Sequence, residues 1–298
     1  MRGWLIIDKP EGISSTHVVR LVKRFFQGMK VGHAGTLDPL ASGILPLALG
    51  EATKTVSYVM SERKGYTFDL VWGEKRSTDD LEGEILDQSD VRPTPQDIEK
   101  ALPNFRGKIL QKPPLYSALK VQGKRAYDLA RRGEMVDLQE RPVMIEQFDY
   151  LGETPSHNAS RFRVFCGKGT YIRSLARDLA ESLSTFGYAR HIRRFLVGSF
   201  EEKNAVSLEK LEMLDKKALI KEHVLSLETV LDDIPALDLS SQEQKKVCLG
   251  QAIEVSIERI PHEGRQGSII TCLGPDRFIF ALAHLVQGKI KPERLLKI

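Results

Sequence analysis

The chain has 298 residues, 41% of them hydrophobic, 28% charged and 7% aromatic, with a net charge of +4 at neutral pH. That is a globular composition with room for about two domains. The opening apolar run, Trp4 to Ile7, is too short for a signal peptide or a membrane span. Three widely spaced cysteines fit neither a disulfide framework nor a zinc site, and no phosphate-binding loop or paired-histidine metal motif is present. These features read as a cytoplasmic, metal-free chain with reduced cysteines.

Taken in chain order, "WLIIDKP" reads as a strand ending at proline, and "SSTHVVRLVKRFF" as a helix capped by Ser14 or Ser15. Next comes "KVGHAGTLDPLASG", a loop of small residues in which Gly32, Gly35 and Gly43 free the backbone and Pro39 fixes it. Asp38 is its sole acid. "ILPLALG" and "YTFDLVWG" read as strands, "TPQDIEKALPNF" as a short capped helix, and "KRAYDLARRG" as another with Gly133 at its C-cap. "SRFRVFCGKG" alternates like a strand. The following "TYIRSLARDLAESL" puts Ile172, Leu175, Ala176, Leu179 and Leu183 on one helical stripe, with Arg173 off it. A charged helical passage is expected over about Ser207 to Glu228. Short strands follow in "QAIEVSIERI", "GSIITCLG" and "RFIFALAHL", so the last 65 or so residues read as a compact β-rich module.

Charge is unevenly distributed. Between Ser160 and Phe200 eight basic residues face two acids, a local +6, which leaves the rest of the chain near −2. Arginine predominates there and aromatic residues interleave it, a pattern suited to a phosphate-rich polymer. The basic end "GKIKPERLLKI" is locally +3.

Five ordered segments closely resemble the bacterial tRNA pseudouridine-55 synthases, the TruB family. They are "IIDKPEGISS", "GHAGTLDPLASGILPLALGEATK", "KGYTF", "KPPLYSALKVQGKRAYDLAR", and "CGKGTYIRSLARDLA" followed by "HIRRFLVG". The carboxyl region is similar, more diffusely, to the PUA module of that family. The resemblance implies an α/β (α+β) architecture: a mixed-sheet catalytic domain over residues 1–230 and a small β-barrel-like PUA domain over 231–298. It also implies isomerisation of uridine 55 in the T-loop of tRNA. The N1–C1′ bond is cut, the base turns, and C5 joins C1′, so no cofactor is needed.

By the same resemblance Asp38 is the essential carboxylate, with three chemistries open to it: addition to C6, attack at C1′, or removal of a sugar proton. Tyr66 stacks on the base, and Arg173 pairs with the acid. His33 packs where the flipped base leaves the RNA. Tyr171 lines the pocket, Ile192 lies against the base, Lys9 and Pro10 shape the floor, and Asp80 helps to hold the arginine. Arg193 and Arg194, in "HIRRF", are expected to meet the RNA. One departure is visible in "EKRSTDDLEG", where Arg76 and Ser77 replace the family's usual Thr-Asp. A monomer acting on the T-stem-loop and acceptor side of tRNA, without membrane or obligate protein partner, is expected. The rivals are a guide-RNA-dependent synthase subunit, against which stand the lack of basic terminal extensions and the wording "DPLASGILP", and a tRNA-folding chaperone without catalysis.

Overall fold

The computed structural model describes residues 2–117, 119–121, 123–134, 136–155, 158–213, 221–260 and 267–296. Among these, an 11-stranded mixed sheet forms the body of the protein. Its centre is built from strands Gly3–Lys9, Ser42–Leu49, Gly187–Val197, Lys64–Trp72 and Ala159–Cys166, side by side in that order. Strand Arg141–Glu153 and then Gly107–Gln111 extend it on one side. Only the Ser42–Leu49 and Gly187–Val197 pair within this run is parallel, through Arg193 opposite Ser42 and Arg194 opposite Gly43. That junction carries the loop containing Asp38 to the middle of the sheet.

Alternation along the strands divides the apolar residues between two cores. Leu5, Ile7, Leu45 and Leu47 join Phe68, Leu70 and Phe162 on one face, where helices Ser15–Phe25 and Ile172–Ser182 lay down Val18, Val22, Leu175 and Leu179. Phe68 and Phe162 stack with centroids 5.5 Å apart. Trp4, Ile6, Ile44 and Ala48 point the other way and share a core with Leu227, Leu231, Ile279, Leu282 and Leu296. A second sheet of five strands therefore sits directly on the first. Three hydrogen bonds add to this contact: Arg2 to the Ile279 carbonyl, Lys54 to the Leu295 carbonyl, and Tyr58 to Glu293.

Several expectations change in the structure. The helical passage over 207–228 is not continuous: helix Leu208–Met213 is short, residues 214–220 lie outside the described part, and Val224–Leu225 is a strand paired with Trp4 and Leu5. In "QAIEVSIERI" only Ile253–Glu254 is a strand, because a 3-10 turn takes over at Ile257. The basic end contributes strand Lys289–Leu295. Helix Ser241–Cys248, closed by a Ser240–Glu243 capping box, was not anticipated.

Gly43 is the tightest backbone approach in the sheet. Its φ is +98°, and a Cβ there would lie 2.2 Å from the Arg194 carbonyl oxygen. Gly43→Ala is expected to cost at least about 2 kcal/mol of stability, from the left-handed backbone and the clash together. Chemical denaturation measures it; a loss within about 0.5 kcal/mol, the range of an ordinary surface change, would contradict this packing.

Candidate active site

The Asp38 loop is pinned before any ligand arrives. Buried Ser15 donates from its hydroxyl to the Leu37 carbonyl and accepts from the Leu37 N–H, both at 2.9 Å. The Pro39 carbonyl receives the Gly12 N–H at 2.9 Å and the Lys9 ammonium at 3.2 Å. Lys9 also donates to the carbonyls of Pro10 and Ile13, each at 2.8 Å, and burial pulls its pKa down to about 8 against the attraction of Asp38 and Glu11. An Ala41 N–H to Asp38 carbonyl bond of 3.0 Å closes the turn. Lys9 is thus fully buried and tied to backbone, while Pro10 is exposed beside it. The Asp38 side chain itself remains 43% exposed.

Helix Ile172–Ser182 starts next to this loop, and its second residue is Arg173. Although off the apolar stripe, Arg173 is buried, because the helix start meets two other loops. Its Nη2 lies 2.9 Å from Asp38 Oδ2 and donates to the Tyr116 carbonyl at 3.0 Å. Its Nη1 lies 3.3 Å from Asp80 Oδ2 and donates to the Thr78 carbonyl at 2.8 Å. One planar cation is held through both Nη atoms by groups from three segments, while its buried Nε meets no partner among the described residues. Asp80 is oriented by the Thr78 hydroxyl and the Glu82 N–H. Close by, Arg177 pairs with Asp79 at 2.7 Å; burial raises the Asp79 pKa, with Arg177 and Arg173 opposing.

Tyr66 lies on the central strand, between Val164 and Arg194 in register. Burial pushes its hydroxyl above the ordinary phenol range, partly offset by the Arg194 guanidinium beside it. The group is a neutral donor at physiological pH. Asp38, Tyr66, Arg173, Tyr171, Ile192 and Arg194 line one open cleft of about 710 Å³. A smaller recess of about 80 Å³ opens beyond Asp38, and Asp80, Arg190 and Ile192 are in its walls. Asp38 and Arg173 border both spaces.

The remaining expected residues are placed differently. His33 ends strand Val31–His33, opposite Leu47, and is not among the residues bordering either space. Arg193 is bidentate to Asp8 at 3.0 Å and bonds Glu202 at 2.6 Å. Arg194 is buried and donates to the Ile44 and Gly35 carbonyls. The basic cluster as a whole is less free than its sequence implies. Arg161 pairs with Asp69 and Arg163 with Asp149, so among the described residues only Lys168 and Arg190 are exposed there without a carboxylate partner. Lys168 borders the large cleft and Arg190 the small recess.

At the departure "EKRSTDDLEG", Arg76 pairs with Glu74, donates to the Leu81 and Gly83 carbonyls, and lies over the Tyr188 ring. It closes the loop that presents Thr78 and Asp80, without touching Arg173. Sequence reasoning missed the Thr78 and Tyr116 carbonyls and Gln111, whose side chain bonds both the N–H and the carbonyl of Tyr171. Backbone acceptors leave no residue-type signal. Lys64, another buried cation of the cleft, was also missed, although "KGYTF" contains it.

Unequal exposure yields a stability prediction. Asp38→Asn is expected to change stability by less than about 1 kcal/mol, since an exposed partner of an ion pair contributes little. Arg173→Met, which strands Asp80 beside two unpaired carbonyls, is expected to cost about 3–5 kcal/mol. Equal losses in chemical denaturation would contradict the arrangement.

Comparisons with known proteins bear on the family of the chain. Residues 23–172 match the family model described as TruB family pseudouridylate synthase (N terminal domain). A protein of Rhodospirillum rubrum named tRNA pseudouridine synthase B is 46% identical, covering 100% of this chain and 97% of its own. One of the same name from Bradyrhizobium diazoefficiens is 45% identical over 100% of this chain and 86% of its own. Among solved structures, a chain of a Cbf5-Nop10-Gar1 complex superposes with a TM-score of 0.75 at 22% identity, covering 99% of this chain and 85% of that one, and shares the fold. With a model matching half of the chain and relatives matching its whole length, the chain belongs to the TruB family of pseudouridylate synthases.

Proposed function

We propose that this protein converts uridine 55 in the T-loop of tRNA to pseudouridine, acting on the bare RNA as a monomer without guide RNA, protein partner or cofactor, in the cytoplasm. The observation that carries the reading is a half-exposed carboxylate, Asp38, on a pinned loop, with Arg173 behind it and Tyr66 in the same cleft. Relatives named for tRNA along the entire chain favour that substrate over a guide-dependent reaction.

In this account the target nucleotide is flipped out of the T-loop into the large cleft. Tyr66 stacks on the base, Ile192 and Tyr171 close its sides, and His33 supports the RNA where the base departs. Asp38 acts on the sugar or the base, and its aim is fixed by Arg173, which Asp80 holds from behind. Lys9 and Pro10 shape the floor, while Arg193 and Arg194 keep their strand against the Asp38 loop. Lys168 and Arg190 flank Asp38 on its two sides and mark a path for the phosphate backbone. Residues 1–230 form the catalytic domain in this reading, and residues 231–298 are a PUA-like domain that reaches the acceptor side.

Mapping pseudouridine in a T-stem-loop transcript tests the reading. The purified protein is expected to modify the transcript without additions. Asp38→Asn is expected to abolish conversion while RNA affinity stays within about tenfold, because phosphate contacts elsewhere dominate binding. Conversion by Asp38→Asn at a substantial fraction of the normal rate would overturn the assignment, as would a requirement for a guide RNA.

A further inference from the structure

The cleft contains two buried cations that meet no counter-charge. Lys64 is 7% exposed and Arg194 1%, and both border the cleft with Asp38 and Tyr66. The Lys64 ammonium donates to the carbonyls of Met60 at 2.9 Å and Glu62 at 2.7 Å, which leaves its third N–H. Arg194 gives Nε–H to the Ile44 carbonyl at 2.8 Å and one Nη2 N–H to the Gly35 carbonyl at 3.1 Å, and it also hydrogen-bonds Tyr66, so part of its five-donor fork remains. Neither forms an ion pair among the described residues; the Glu62 carboxylate acts on Lys64 only at longer range. Arg173 and Arg177, by contrast, each meet two carboxylates.

Gly35, on the Asp38 loop, lies between the two. A Cβ there would be 3.3 Å from Arg194 Nη1 and 3.9 Å from Lys64 Cε, so the bare glycine lets both cations press against the loop. Burying unneutralised charge costs folding free energy, and two such charges repel. Burial and Arg194 together pull the Lys64 pKa down to about 8. An anion entering the cleft would relieve that cost.

The proposed isomerisation generates one. On either sugar route, the Asp38 carboxylate bonds to C1′ or takes the neighbouring sugar proton to leave a C1′–C2′ double bond. As it does so, N1–C1′ breaks and its electron pair remains on the base, spread over the ring and its two carbonyl oxygens; closing C5 onto C1′ reverses that step at Asp38. The pair returns when C5 bonds to C1′, and the proton lost from C5 is matched by one gained at N1. Between those steps the free base is anionic. We propose that Lys64 and Arg194 form a cationic floor that stabilises the detached uracil anion while it turns. The inference rests on the function proposed above. A phosphate is the other anion available, but the two cations are buried alongside Tyr66, whereas the exposed cations suited to phosphate are Lys168 and Arg190.

Leaving-group dependence tests this. Lys64→Gln removes the charge and keeps an N–H donor for the carbonyls. Single-turnover cleavage of N1–C1′ is measured in T-stem-loops carrying uridine or 5-fluorouridine at the target, since fluorine stabilises the ring anion without altering the phosphates. The uridine rate is expected to fall about a hundredfold, as for loss of one preorganised donor to a developing anion. The 5-fluorouridine rate is expected to fall by at least about tenfold less, since less charge then remains for the protein to stabilise. The ratio of the two rates within one preparation cancels any loss of folded protein. Equal falls on both RNAs, or weakened RNA binding with an unchanged rate, would overturn the inference. Failure of the unmodified protein to form pseudouridine would instead refute the proposed function itself.

Discussion

A guanidinium taken out of water must find acceptors for its charge and its N–H groups, and Arg173 finds them in four places at once. Asp38, the Asp80 carboxylate and Thr78 carbonyl of a single loop, and the Tyr116 carbonyl surround it, from three segments in all. Because loss of Asp80 or of either carbonyl would leave a buried charge or donor unpaired, the segments that carry them are held to one geometry around Arg173. Of its two carboxylate partners Asp38 is the solvent-facing one, 43% exposed against 10% for Asp80. In the proposed function this fixed cation behind a solvent-facing carboxylate serves to aim that carboxylate.

Rigidity of the Asp38 loop has the same origin. Ser15 holds both polar groups of Leu37, and Lys9 and Gly12 share the Pro39 carbonyl, so the residues on either side of Asp38 are fixed. Preorganisation of this kind is set by the fold and needs no reorganisation when RNA binds. Most arginines of the Ser160 to Phe200 cluster serve similarly as ties, Arg193 to Asp8 being an example that joins residues 185 apart. Within that cluster the exposed charge left without a carboxylate is that of Lys168 and Arg190, at the two spaces that Asp38 borders.

Much of this was legible in the sequence where the signal is local. The Ser14 cap, the Thr94–Asp97 capping box and the Leu175–Leu179 stripe are patterns within a few residues, and each corresponds to a helix. Asp38, Tyr66 and Arg173 were legible through motif resemblance, and they border one cleft. Strand Arg141–Glu153, though 13 residues long, was invisible because register shifts between Ile145 and Gln147 and between Tyr150 and Gly152 break its alternation. Helix Ser241–Cys248 buries only Val247 and so shows no apolar stripe; its S-x-x-E capping box was the available clue. The shared core of Trp4 with Leu231 and Leu282 depends on contacts between distant segments, which no local period encodes. The burial of Arg173 likewise follows from loops that arrive from residues 78 and 116.

The central claim is that Arg173 works by geometry, through its planar fork, and not by charge alone. Single-turnover pseudouridine formation by Arg173→Lys, with RNA affinity measured in parallel, tests it most directly. A lysine retains the charge but cannot reach Asp38, Asp80 and two carbonyls together. The account predicts a rate reduced by at least about a hundredfold, the scale of losing one preorganised contact, with affinity nearly unchanged. A normal rate in Arg173→Lys, or a loss confined to affinity, would contradict it.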